Sequence, residues 1–160
     1  KMLCDSISQI LENIKDGNLI LENSAGAGNL IGDSLEELGD IFKGVGNKRL
    51  KLCLDTAHSF ESGIITDFSK KGIDEFIAKL DKIIGIKNLS VIHLNDSKTE
   101  KNSNKDRHEN IGEGFIGVEG LKNFINHKDI IGKPLILEVP GFDNQGPDKK
   151  NIDIVKSILN

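Results

Sequence analysis

Apolar residues follow two spacings along the chain, one typical of helices and one typical of short strands. Helical spacing marks residues 4–14, 35–45, 73–84, 118–125 and 152–159. Short apolar runs between these segments predict strands at residues 18–22, 50–55, 89–95 and 134–138. Ser34, with Glu37 three residues later, forms a capping-box pattern at the start of the second helix. The pattern therefore predicts a leading helix followed by four strand–helix units, with a long polar loop before residue 117.

Strands that alternate with helices imply an α/β fold with parallel pairing and right-handed crossovers. A doubly wound sheet and a barrel both fit this order. Four units in 160 residues correspond to half of a (β/α)8 TIM barrel, which usually takes about 250 residues. We therefore expect a single domain over residues 1–160. No apolar run approaches the roughly 20 residues that span a bilayer, so no membrane segment is expected.

Composition adds limits on compartment and partners. A net charge of −4 is unusual for a nucleic-acid-binding protein, which normally has a basic surface. The two cysteines, Cys4 and Cys53, cannot build a disulfide framework, and the reducing cytoplasm is the expected compartment. The 37% of apolar residues and 29% of charged residues are ordinary for a globular domain.

Each predicted strand ends in a residue that can bind a metal. Strand alternation places the leucines on one face and these residues on the other, at the carboxyl ends where parallel α/β folds build active sites. They are Glu22, Asp55, His93 and Glu138.

Two short motifs add further candidate ligands. Asp55 and His58 form D-x-x-H directly after a strand, and Asp106 and His108 form D-x-H in the long loop. Carboxylate and imidazole ligands together favour zinc, manganese or iron. The seven candidates exceed the four ligands of one tetrahedral zinc, which indicates a multinuclear site.

Each candidate also has a simpler interpretation when taken alone. Glu22 and Glu138 would be exposed or hydrogen-bonded carboxylates, and Asp55 would cap a turn. Cys53 is expected to be a small buried side chain, and His127 is assigned no role. A solvated charge run would account for the basic residues of the long loop, which are Lys98, Lys101, Lys105 and Arg107.

Five strings together are more specific than any single residue. LENSAGAGN at 21–29, CLDTAHSF at 53–60, HLNDSK at 93–98, DRHENIGEGFIG at 106–117 and LILEVPG at 135–141 resemble the endonuclease IV family of apurinic/apyrimidinic DNA-repair nucleases, in the family's order. The resemblance implies a (β/α)8 barrel that cleaves the phosphodiester 5′ to an abasic site with three zinc ions. By motif, Glu22 resembles the carboxylate that bridges two zincs, and Glu22 and Glu138 would act in catalysis through the metals. Asp55, His93 and Glu138 resemble the remaining ligands of the second zinc, and His58, Asp106 and His108 those of the third.

The sequence departs from that family at its first zinc. Two histidines of that site belong to the family's N-terminal half and have no counterpart here, so the chain resembles the C-terminal half and is expected to bind about two zincs. The implied partners are double-stranded DNA with an abasic site, and an N-terminal half-barrel or a second chain that covers the open sheet. Lys98 and Arg107 would contact DNA phosphates.

Two other functions fit part of the pattern. Sugar isomerases and epimerases of the xylose-isomerase-like barrels also use a Glu/Asp/His/Glu metal set at strand ends. The Asp106–His108 pair argues against them, because it supplies a further metal that such enzymes do not need. The other alternative is a non-catalytic metal-binding half-barrel.

Overall fold

The computed structural model describes residues 1–160, and its elements follow the predicted order of a leading helix and four strand–helix units. The helices are α1 Met2–Asn13, α2 Leu35–Val45, α3 Thr56–Glu61, α4 Lys70–Ile83, α5 Gly117–Ile125 and α6 Lys149–Ile158. The strands are β1 Leu19–Glu22, β2 Leu50–Asp55, β3 Leu89–His93, β4 Asp96–Ser97, β5 His108–Glu109 and β6 Leu135–Ile136. None of the helices combines the length and apolar character needed to cross a bilayer.

Four strands form one parallel sheet in the order β1-β2-β3-β6. The register aligns their carboxyl ends, because Glu22 pairs with Cys53, Asp55 with His93, and His93 with Ile136. The sheet and its helices are consecutive β/α units of a partial barrel, and the predicted fold class is confirmed.

The leucine face of the sheet is covered by helices. Leu52, Leu54, Ile92 and Leu94 are fully buried in a core of 23 residues to which α4 and α5 contribute. A smaller cluster under α1 joins Ile7, Leu11, Ile41 and Leu50. Burial of this face explains why the strand-end ligands point away from the helices.

The opposite face of the sheet is partly open. Ile20 in β1 is 44% exposed and Ile136 in β6 is 45% exposed, although both are large aliphatic side chains at sheet positions. β1 and β6 each pair with a single neighbour, so both edges of the sheet lack a further strand. An open face and open edges are what a half-barrel is expected to have.

Some predicted boundaries were wrong. The loop predicted after β2 contains the short helix α3, which begins directly at the strand end because the Asp55 carboxylate accepts the His58 N–H (2.8 Å). β3 ends at His93 rather than at residue 95, and β6 has two residues rather than five, since only Leu135 and Ile136 pair with β3. The long polar loop contains the antiparallel pair β4–β5, which no local pattern indicated.

The capping box at α2 forms only in part. Ser34 Oγ accepts the Glu37 N–H (3.3 Å), as the pattern predicts. The Glu37 carboxylate, however, accepts the N–H of Gly32 instead of that of Ser34. Gly32 has a φ of +98°, a conformation that turns its N–H toward the helix start and that glycine adopts at little cost.

Candidate metal centre

Four strand-end side chains converge at the open rim of the sheet, and we call them the His93 group. His93 Nδ1 lies 3.0 Å from Glu22 Oε1, 3.0 Å from Glu138 Oε2 and 4.0 Å from Asp55 Oδ2. One ligand atom from each residue lies within 4.8 Å of those of the other three. Three carboxylates and one imidazole at this spacing can share one cation.

A second set, the His58 group, consists of His58, Asp106 and His108. The Nε2 atoms of the two histidines are 3.2 Å apart. Asp106 Oδ1 lies 3.3 Å from His58 Nε2 and 3.9 Å from His108 Nε2. Two nitrogens bound tetrahedrally to one zinc, each at 2.0–2.1 Å, would be about 3.3 Å apart. The observed spacing therefore fits a shared metal ion.

Backbone carbonyls orient both histidines of the His58 group. His58 Nδ1 is 3.0 Å from the carbonyl oxygen of Asn23, and His108 Nδ1 is 3.3 Å from that of Glu138. A carbonyl only accepts hydrogen bonds, so the proton of each neutral ring belongs on Nδ1 and the Nε2 lone pair faces the group. Metal-binding histidines are oriented in this way by their other ring nitrogen.

Asp55 connects the two groups. Its Oδ1 caps α3, while its Oδ2 lies 3.6 Å from His108 Nε2 and 4.0 Å from His93 Nδ1. The side chain is fully buried. The capping role considered from the sequence is therefore present, and it uses one oxygen while the other faces both groups.

Two buried amides hold the ligands and were not identified from the sequence. Asn95 Nδ2 donates to Asp55 Oδ2 (2.6 Å) and its Oδ1 accepts the Glu138 N–H (2.8 Å). Asn23 Oδ1 accepts the Asp55 N–H (2.8 Å). Their positions in the sequence could have indicated this role, because Asn23 follows Glu22 directly and Asn95 lies two residues after His93.

The electrostatics of the rim favour positive charge. Burial lowers the pKa of His58, but its hydrogen bond to Glu22, the charge of Asp55 and the carbonyl of Asn23 outweigh this and raise the pKa to about 10. Burial raises the pKa of Glu22, but the hydrogen bond from His58 and the charge of His93 lower it overall. Burial raises the pKa of Asp55 despite the charges of His58 and His108. A bound cation would offset this concentration of carboxylates.

Cys53 lies on the same face as the His93 group but is almost completely buried. Burial and the charge of Glu22 raise the pKa of its thiol to about 12. The side chain is therefore a neutral buried thiol, as its position predicts.

The other residues considered from the sequence, Lys98, Arg107 and His127, are not part of either ligand group. Lys98 and Arg107 are exposed, with Lys98 Nζ 3.7 Å from Glu109 Oε2 and Arg107 Nη1 donating to the Asp106 carbonyl (2.7 Å). His127 contacts Asp74 Oδ1 (3.1 Å) and belongs to neither ligand group.

A family model described as "Xylose isomerase-like TIM barrel" matches residues 1–158. The chain belongs to the xylose isomerase-like TIM barrel family. Within this family, its similarity is to endonuclease IV. It is 42% identical to "Probable endonuclease 4" of Halothermothrix orenii, over 96% of this chain and 56% of the relative. It is 48% identical to "Probable endonuclease 4" of Aster yellows witches'-broom phytoplasma, over 86% of this chain and 46% of the relative.

A solved structure agrees with these relatives. Endonuclease IV from Thermus thermophilus superposes with a TM-score of 0.76 at 28% identity, over 94% of this chain and 52% of that one. The predicted resemblance to endonuclease IV is confirmed. The chain spans about half the length of the xylose isomerase-like TIM barrel relatives that it matches.

Proposed function

We propose that this chain is the C-terminal half-barrel of a DNA-repair endonuclease that hydrolyses the phosphodiester 5′ to abasic sites. The observation that carries this proposal is the convergence of both ligand groups on Asp55, whose Oδ2 faces His93 Nδ1 and His108 Nε2. Similarity to proteins named endonuclease 4 gives the reaction class. An abasic nucleotide has no base to unstack, so an enzyme can turn it out of the helix at lower cost than an intact nucleotide.

The residues present fit zinc. Mixed imidazole and carboxylate ligands suit zinc better than calcium or magnesium. The His93 group would hold one ion and the His58 group a second, and Glu22 would also serve as a ligand for a third ion in the complete enzyme. Zinc supplies a Lewis acid for phosphate oxygens and lowers the pKa of water toward about 7.

The chain's own residues would orient the ligands and the DNA. Asn95 fixes the Asp55 carboxylate and the Glu138 backbone. Glu22 and Glu138 would act in catalysis through the metals that they help to hold. Both side chains are exposed, although Arg107 Nη1 donates to the Asp106 carbonyl and Lys98 Nζ lies 3.7 Å from Glu109 Oε2. We assign them contacts with DNA phosphates.

The open sheet supports a partner for this half. Ile20 and Ile136 lie on the face where a barrel would have its interior, and both are exposed. We propose that an N-terminal half-barrel or a second chain covers this face, and that the isolated 160 residues bind metal but do not cleave DNA. Free thiols at Cys4 and Cys53 fit the cytoplasm as its compartment.

A complementation assay tests this function. The substrate is a labelled duplex with a single abasic site, and the enzyme is this chain joined behind the N-terminal half of the Halothermothrix orenii relative, with that complete relative as the positive control. We expect cleavage 5′ to the site by the joined protein, none by the chain alone, and loss of cleavage in Asp106→Ala. A folded, zinc-loaded joined protein that isomerised a ketose and left the duplex intact would show that the sugar isomerase alternative is right.

A further inference from the structure

One buried carboxylate near the rim belongs to neither ligand group. Glu61 is the last residue of α3, the helix that carries His58, and its side chain is fully buried. Its Oε2 has no hydrogen-bond partner. Burial of a carboxylate is costly, and an apolar side chain would fill a purely structural position at lower cost. We therefore expect the other carboxylate oxygen, Oε1, to make contacts that the fold or the metal site requires.

All the hydrogen bonds of the Glu61 carboxylate go to one loop. Oε1 accepts Ser97 Oγ–H (2.7 Å) and Thr99 Oγ1–H (3.2 Å) where the loop begins, and the Arg107 N–H (3.3 Å) where it ends. The backbone of α3 adds two contacts, since the carbonyls of Phe60 and Glu61 accept the N–H groups of residues 102 and 104. Both ends of the loop are thus tied to α3.

We propose that Glu61 is a positioning residue that assembles the His58 group. Glu61 accepts the N–H of Arg107, which lies between Asp106 and His108 in the sequence. In α3, His58 lies one helical turn before Glu61. A single carboxylate thereby fixes the helix that supplies one ligand against the loop that supplies the other two. This inference rests on the proposed metal-binding function.

Metal titration tests the role. The probe is Co²⁺ alone, added to the 160-residue chain and followed by its absorption bands. In Glu61→Ala we expect binding at the His93 group to remain and affinity at the His58 group to fall about 10- to 100-fold, the range typical of residues that support metal ligands. Glu61→Gln keeps an oxygen at the Oε1 position and should restore the wild-type affinity. Glu75→Ala, at an exposed position of α4, is the matched control and should change nothing.

Two further variants keep the test decisive. Adding Glu61→Ala to Asp106→Ala should cause no additional loss of Co²⁺ affinity, because both changes act on the His58 group. If Glu61→Ala does not fold, Thr99→Val removes one donor to Oε1 at a half-buried position and should weaken the same site severalfold. The proposal is overturned if folded Glu61→Ala, or Thr99→Val in its place, binds both Co²⁺ ions like the wild type. A wild-type chain that bound no Co²⁺ would instead overturn the proposed function, and this inference with it.

Discussion

His58 Nε2 and His108 Nε2 lie 3.2 Å apart, although 50 positions separate the two residues in the sequence. When both rings are neutral, each donates from Nδ1 to a backbone carbonyl and the two Nε2 lone pairs face each other. Two lone pairs at this distance repel unless a proton or a metal ion lies between them. Asp106 and His108 belong to the His58 group only, so variants of these two residues can test the His58 group separately from the His93 group.

The double variant Asp106→Ala/His108→Ala tests that separation. It removes two of the three ligands of the His58 group but none of Glu22, Asp55, His93 and Glu138. We expect the chain to lose one bound metal and to keep the other, as measured by elemental analysis after gel filtration. Loss of both metals from a folded double variant would contradict the assignment of one metal to each group.

Asn95→Ala tests the support of the His93 group. The change removes the donor to Asp55 Oδ2 and the acceptor of the Glu138 N–H. We expect metal affinity at the His93 group to fall about 10- to 100-fold. Leaving the buried partners unpaired should also lower the free energy of unfolding by about 1–3 kcal/mol.

Asn123→Ala is the matched control for Asn95→Ala. Asn123 donates to the Phe68 carbonyl (3.0 Å) in a half-buried position away from the ligands. It should lower stability without changing metal affinity. Equal metal affinities for Asn95→Ala and Asn123→Ala would show that Asn95 does not support the ligands.

Asp96 holds the segment that follows β5. Its buried carboxylate accepts the backbone N–H groups of Ser97, Gly112, Gly114, Ile116 and Gly117 at 2.8–3.3 Å. Asp96→Asn places an NH2 donor against these donors, and we expect a loss of about 2–3 kcal/mol of unfolding free energy in urea denaturation. Asp40→Asn, at an exposed position of α2, should have little effect. Comparable losses in the two variants would disprove the anchoring role.

Asp148 gives a pH-dependent contribution to stability. Hydrogen bonds from the N–H groups of Asn151 and Phe142 hold the pKa of this carboxyl below its ordinary value of 3.8. Because the folded pKa is lowered, the contribution is present above about pH 4 and is lost as the pH falls through the lowered value. The difference in melting temperature between wild type and Asp148→Ala should therefore be larger at pH 7 than at pH 3. A difference of the same size at both pH values would contradict this role.

The sequence predicts the His93 group better than the His58 group, for a physical reason. Glu22, Asp55, His93 and Glu138 lie at strand ends, where the two-residue alternation of strands determines the face of each side chain. The contact of His58 with His108 depends on the path of the loop between β4 and β5. No local periodicity specifies that path, and only the motif resemblance indicated the shared site.

Helix α3 and the roles of Glu61 and Asn95 were not predicted, also because no local periodicity specifies them. Helix α3 has six residues and no repeat long enough to show helical periodicity, so only Asp55 as a cap could have indicated it. Glu61 is a polar residue in a segment predicted as a loop, and Asn95 is a polar residue at the end of a predicted strand. Their burial arises from tertiary packing, which propensity and pattern do not contain.

The most direct test of the central claim is the metal content of the 160-residue chain. The folded chain, purified without exposure to chelators, is analysed for zinc by elemental analysis. Because the His93 and His58 groups each supply a set of converging ligands, we predict about two zinc ions per chain. A folded sample that contained no zinc, and took none up on titration, would contradict the assignment of both groups.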